Sequence, residues 1–220
     1  KSVNNCLALL KTIFKKAAAW KMIQFNPATD VSFLKVTKEK YSWWDKEEHI
    51  IKFLQQAKQD RYYLAYRLAL DLGLRLGEII GLSKDDVNLG RRQIHVHRQW
   101  LEKEKCYGPT KQYKERFVTY AEDSDLGGLF ERAIKASPHK EALFVSSSGN
   151  RLGARKLSGY HFKRLVIKAE VPDIRFHDLR HTFASWFMIK NDDIWTLKGI
   201  LGHANVQTTQ RYAHLSSRFQ

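Results

Sequence analysis

The sequence predicts a mainly α protein with a small antiparallel β-sheet, an α+β arrangement, and three observations carry that expectation. Apolar residues recur at helical spacing early in the chain, first as Val3, Leu7, Leu10, Phe14, Ala17, Ala18 and Met22, then as Ile50, Ile51, Phe53 and Leu54. Residues 93–101 and 116–120 are rich in β-branched and aromatic types and flank a polar segment, 103–115, which reads as an antiparallel pair. Past Asp123 the helical pattern returns, around 129–134 and near 159–169, 178–190, 193–201 and 206–214, with a short apolar strand or turn at 143–145.

The first helix, over residues 3–23, is basic as well as amphipathic, because Lys11, Lys15, Lys16 and Lys21 lie among its apolar positions. Asn26-Pro27 closes it, since proline pushes the residue before it out of helical conformations. Residues 27–40 are irregular and charged and read as a linker, so the chain divides into 1–26, 27–40 and a main body over 41–220. Asp45 and Glu48 form a D-x-x-E capping box ahead of the next helix, and another follows over 62–72. Gly73 and Gly77 bracket Leu74-Arg75-Leu76, placing Arg75 at a break between two helical pieces.

Composition narrows the function. With 43% hydrophobic residues in 220, the chain can bury a sizeable core. Lys and Arg number 38 against 23 acidic residues, a net charge of +15, which calls for a polyanionic partner, either nucleic acid or an anionic membrane. Charge breaks every long apolar run, as Arg67 and Asp71 do around 62–74, so no segment reads as a bilayer span. Cys6 and Cys106 are the only cysteines, too few for a disulfide framework or a zinc cluster, and a reducing, cytoplasmic location is expected. The start at Lys1, with no Met and no apolar leader, reads as that of an excised piece.

Four groups of residues can carry chemistry. In His177-Asp178-Leu179-Arg180-His181, the first histidine and the arginine share a helix face and can converge on one anion. His177 and His181 also have the i, i+4 spacing of a zinc-binding helix, but Asp178 replaces the longer Glu of that motif and Arg180 would set a fixed cation between the ligands. In Leu201-Gly202-His203 the glycine ends a helix, so that Tyr212, nine residues past the histidine, can fold back beside it. Arg75, flanked by leucines and glycines, can offer its planar fork from a backbone bend, with Glu78 placed to orient it. Lys111, followed by Lys114 and Arg116, falls in the segment joining the strands, where the bland alternative is a charged loop. His95 and His97 read as solvated or DNA-facing, and Tyr62, Tyr63 and Tyr66 as core and edge residues.

In this order, Gly73-Leu74-Arg75-Leu76-Gly77-Glu78, Lys111 before Lys114-Glu115-Arg116, His177-x-x-Arg180-His181, Leu201-Gly202-His203 and Tyr212 resemble the catalytic domain of the tyrosine recombinases, the phage-type integrases, over roughly residues 40–214. The opening helix and Asn26-Pro27-Ala28 resemble the end of that family's core-binding domain and its linker. The resemblance implies the family's fold and a site-specific DNA recombinase or integrase of a mobile genetic element, acting through a 3′-phosphotyrosyl intermediate. It implies Tyr212 as nucleophile, Arg75 and Arg180 on the nonbridging oxygens, Lys111 as acid for the leaving oxygen, and His177 and His203 as proton-transfer or hydrogen-bonding groups. Glu78 and His181 support them, with Thr182 and His214 secondary. A phenol with an ordinary pKa near ~10 is expected to be lowered by the neighbouring cations. Neither metal nor ATP nor another cofactor is implied, since two arginines and a lysine supply the positive charge. The implied partner is double-stranded DNA, engaged as a tetramer on two duplexes; 8 residues follow Tyr212 as a short C-terminal tail, where family members usually continue into a tail that docks on a neighbouring protomer. A type IB topoisomerase-like relaxing activity, or a non-catalytic DNA-binding regulator, remain alternatives at this point.

Overall fold

A computed structural model describes residues 2–35, 41–110 and 115–216, and the chain divides into two compact units, Lys1–Lys40 and Tyr41–Gln220.

In the first unit, helix α1 spans Ser2–Ala19 and buries none of its residues. It stops seven residues before Asn26. Lys21 adopts a left-handed conformation (φ 60°), and its N–H and that of Met22 return to the carbonyls of Ala18 and Ala17, a terminating motif that needs no proline. The segment read as a linker folds back along α1 as far as residue 34. Asn4 exchanges two hydrogen bonds with the Leu34 backbone, at 2.8 and 2.9 Å, and Lys11 Nζ donates to Thr29 O.

The second unit holds seven α-helices among its described residues: α2 (Glu47–Ala57), α3 (Tyr63–Asp71), α4 (Leu76–Gly81), α5 (Leu126–Ala136), α6 (Phe162–Lys168), α7 (Phe176–Asn191) and α8 (Ile194–Leu201). Its strands are β1 (Val87–Asn88), β2 (Gln93–Val96), β3 (Arg98–Leu101), β4 (Cys106–Pro109) and β5 (Arg116–Thr119). The mainly α body with small antiparallel sheets agrees with the sequence reading, and three details differ from it. The capping box at Asp45 and Glu48 is not formed, because α2 starts after Lys46 with no side-chain cap. The 93–101 stretch is two strands: β2 pairs with β1 and β5, whereas β3 pairs with β4, a strand inside the segment that looked too polar to be one. Residues 206–214 form tight 3-10 helical stretches, Val206–Thr208 and Gln210–Leu215, in place of an α-helix. There Asn205 caps the Gln207 N–H and the Thr209 hydroxyl bonds His203, local bonds that compete with helix formation.

An aromatic chain fixes the core. Trp44 meets Phe53 at 5.0 Å between ring centres, Phe53 meets Tyr66 and Phe162 at 5.5 Å, and Phe162 meets Phe176 at 5.4 Å. Tyr62 and Tyr66 are buried, and His95 and His97 stack on each other while pairing with Glu115 and Asp86. Around this core α3 packs on α7, and β3 crosses so close to α4 that a Cβ on Gly81 would lie 2.8 Å from the Trp100 nitrogen. The described residues contain no helix long and apolar enough to cross a membrane.

Candidate active site

Helix ends position Arg75, Arg180 and His203. At the end of α3, Gly73 takes φ +64° and its missing Cβ leaves room for Phe183, whose ring carbon would lie 2.5 Å from one. The chain therefore turns at once into α4 with Arg75 as its first flanking residue. Glu78 closes this turn: one carboxylate oxygen accepts from the Arg75 backbone N–H at 2.8 Å, the other from Arg75 Nη1 at 2.9 Å.

The start of α7 uses the same device. Asp178 turns back to the Arg175 N–H at 2.8 Å and to its guanidinium, so the aspartate inside the His-Asp-Leu-Arg-His sequence is a helix cap. Among the described residues no three His, Cys, Asp or Glu side chains gather as a metal site would need. Arg180 is buried on the next turn, where Nη1 donates to Gly73 O at 2.5 Å and Nη2 to Leu201 O at 2.6 Å. These bonds tie the ends of α3 and α8 to α7. Burial and the neighbouring Arg75 lower the Arg180 pKa to about 9, so the group remains a cation at neutral pH.

Asp193 caps α8 through the Trp195 and Thr196 N–H groups, both at 3.0 Å, and Gly202 ends it with φ +62°. His203 follows directly. Its Nε2 lies 3.2 Å from Arg180 Nη2, a group that can only donate, so Nε2 accepts and Nδ1–H donates to Thr209 Oγ1 at 2.9 Å. Burial and the charge of Arg180 lower this imidazole to about 3, which keeps it neutral. The tight turns after it deliver Tyr212, whose hydroxyl meets His181 Nδ1 at 2.5 Å. His181 is lowered to about 4, by burial and then by His177, and His177 is lowered by burial and Arg180.

Arg75, His177, Arg180, His181, His203 and Tyr212 line a single cavity of about 330 Å³, joined by Thr208 and Arg211. Of the residues expected at the site, Lys111 lies outside the described residues, and Glu78 sits behind Arg75 as its buttress. Thr182 is buried in structural bonds to Asp178 O and the Trp44 N–H, and His214 is exposed outside the cavity. One expectation is overturned: burial raises the Tyr212 phenol well above the ordinary tyrosine value, and the pull of Arg180 and Arg211 does not offset it. The phenol is thus held protonated, bonded to His181 and not to an arginine.

Sequence reasoning counted Arg116 in the motif order but gave it no role, because it looked like part of a charged loop. Its guanidinium grips both oxygens of Glu78, at 3.0 and 2.9 Å, and donates from Nε to Ile200 O at 2.7 Å. Burial works against the Glu78 charge, but the Arg116 hydrogen bonds and the charges of Arg116, Arg180 and Arg75 outweigh it and hold the carboxyl at about 2. Arg211 gave no signal, being one cation among many.

Similar proteins carry related chains. The sequence is 28% identical to the ICEBs1 integrase of Bacillus subtilis (strain 168), over 98% of this chain and 62% of the relative. It is 33% identical to the tyrosine recombinase XerA of Saccharolobus solfataricus, over 77% of this chain and 51% of the relative. The chain therefore spans about half to two-thirds of the length of these relatives. The Tn1549 transposon integrase, solved in complex with a circular intermediate DNA, superposes with a TM-score of 0.82 at 25% identity, over 96% of this chain and 74% of that one. The profile of the Phage integrase family matches residues 44–218, the whole stretch that builds the cavity, and the chain belongs to that family.

Proposed function

We propose that this protein is a site-specific recombinase that cleaves and rejoins double-stranded DNA by transesterification, with Tyr212 as its nucleophile. The observation that carries the proposal is the convergence of Arg75, His177, Arg180, His203 and Tyr212, residues spread over 138 positions, on one cavity large enough for a phosphodiester. The net charge of +15 supports a polyanionic partner.

The tyrosine oxygen attacks the phosphorus, forming an O–P bond while the bond to the leaving 5′ oxygen breaks. A 3′-phosphotyrosyl link conserves the bond energy, and a 5′ hydroxyl of a partner strand reverses the step. His181, neutral and already bonded to the phenol, takes its proton. Arg75 and Arg180 neutralise the nonbridging oxygens with fixed hydrogen bonds. His177 stands at the cavity to donate to the phosphate. His203 accepts from Arg180 at Nε2 and so aligns that guanidinium on a nonbridging oxygen. Lys111 protonates the leaving oxygen. This chemistry uses no ATP, metal or other cofactor. Residues 1–26 end a core-binding lobe, 27–40 link it to the catalytic domain over 41–220, and four protomers on two duplexes form the working assembly. The protein acts on DNA in the cytoplasm, in the service of a mobile element.

A pool of nicked duplexes with a randomised core tests the proposal. The nick lets the short fragment beside the cleaved bond diffuse away, so cleavage leaves a covalent adduct that survives denaturing electrophoresis, and sequencing it gives the preferred site. An adduct enriched in one core sequence, formed with chelator present, is the expected result. Retained non-covalent binding with no adduct would make the protein a DNA-binding regulator instead.

A further inference from the structure

We infer that Arg116 is a positioning residue for the proposed cleavage: it saturates Glu78 so that the guanidiniums of Arg75 and Arg180 stay available to the phosphate. The inference rests on the reading of the site given above.

Arg116 does not line the cavity, and its fork is committed inward, two nitrogens to Glu78 and the third to Ile200 O. A carboxylate offers about four acceptor positions. All four of Glu78 are filled, two by Arg116, one by the Arg75 backbone and one by Arg75 Nη1. Arg180 Nη1 stands 4.0 Å from the same carboxylate without a hydrogen bond to it. Only 2% of Glu78 is exposed, so water cannot refill positions that Arg116 vacates, and an unpaired buried carboxylate is costly. The nearest donors are the two arginines meant for the substrate. Without Arg116, Glu78 would draw one of them back from the cavity.

A second observation shows that the path of this side chain is built. Gly202 sits against the Arg116 guanidinium, where a Cβ would lie 3.0 Å from Nη1 and 3.2 Å from Cζ. The glycine that turns the chain toward His203 therefore also admits Arg116 beneath the end of α8. Arg116 and Arg180 take consecutive carbonyls there, Ile200 and Leu201, which the helix leaves unpaired. Arg116 thus joins the support of Arg75 to the support of His203.

The test uses the duplex recovered from the randomised pool, once with its ordinary phosphate and once with a methylphosphonate at the scissile position. The methylphosphonate lacks the charge that the two arginines neutralise. Arg116→Met is expected to slow adduct formation about 100-fold on the phosphate and to approach the wild-type rate on the methylphosphonate. An equal deficit on both substrates would mean a folding defect and would overturn the inference. Arg116→Met combined with Glu78→Gln is expected to be no slower than Arg116→Met alone, because a neutral amide does not recruit an arginine. Additive losses would contradict it. Should the Met variant not fold, Arg116→Lys, which keeps the charge and loses the fork, takes its place with the same direction of effect. A crystal structure of the variant decides the geometry without activity: Arg180 is expected to close from 4.0 Å to hydrogen-bond distance of Glu78, or Arg75 to add a second side-chain bond to it, and unmoved guanidiniums would refute the inference. If the wild type forms no adduct on any duplex, the recombinase reading fails and the crystal structure still judges Arg116.

Discussion

The hydroxyl of Tyr212 and Nδ1 of His181 lie 2.5 Å apart in a pocket where the tyrosine is only 2% exposed and its phenol pKa is raised. The proposed nucleophile and a neutral imidazole are therefore paired in the structure. Tyr41 covers both, its ring centre 5.0 Å from that of His181 and 5.3 Å from that of Tyr212. Removing the base should show in the chemical step. His181→Leu is expected to slow adduct formation about 100-fold at neutral pH while DNA affinity, read by a filter or gel-shift assay, stays within a few-fold of wild type. Equal rates in the two proteins would assign the proton elsewhere.

The same burial links stability to pH. His181 and His203 titrate at about 4 and about 3 in the folded state, below the ordinary histidine value of 6.5. Between those limits the unfolded chain binds protons that the folded one refuses, so stability is full above pH 6.5 and falls as the pH drops toward 4. Each histidine contributes a slope of roughly 1 kcal/mol per pH unit in that window. Urea titrations at a series of pH values should show it, and His203→Gln should flatten it. A variant with the wild-type slope would show that His203 is not shielded in this way.

Gly73 combines two demands, a positive φ and contact with the Phe183 ring, and its carbonyl also receives Arg180. Gly73→Ala is expected to destabilise the protein by about 2 kcal/mol and to lower the cleavage rate beyond what the loss of folded protein explains. Calorimetry alongside the adduct assay separates the two effects.

Arg180 spans two backbone carbonyls with the two ends of one planar group, a geometry that an ammonium cannot copy. Arg180→Lys should therefore cost about 100-fold or more in rate, although the charge is retained. A lysine variant within a few-fold of wild type would show that charge alone suffices.

How far the sequence foretold this site follows from the range of each interaction. Arg75 and His203 were legible because glycines and a helix break flag the local backbone that presents them, and Arg180 because it shares a helix face with His177. Asp178 could be read only in part, since its two roles, metal-motif remnant or helix cap, differ solely in the direction its carboxylate turns. The role of Arg116, and Tyr41 altogether, were missed because their partners are distant in sequence: Glu78 lies 38 positions from one and His181 lies 140 from the other. The β3–β4 hairpin was missed for a similar reason, as its support includes Arg151, which lies over the Trp100 and Tyr107 rings from another segment. The raised phenol pKa follows from burial, which spacing does not reveal.

The most direct measurement is mass spectrometry of the trapped adduct after nuclease and protease digestion. A nucleotide mass on the peptide containing Tyr212, located on that residue by fragmentation and absent in Tyr212→Phe, is the predicted result. The same mass on any other side chain, or an adduct that persists with phenylalanine at 212, would contradict the account.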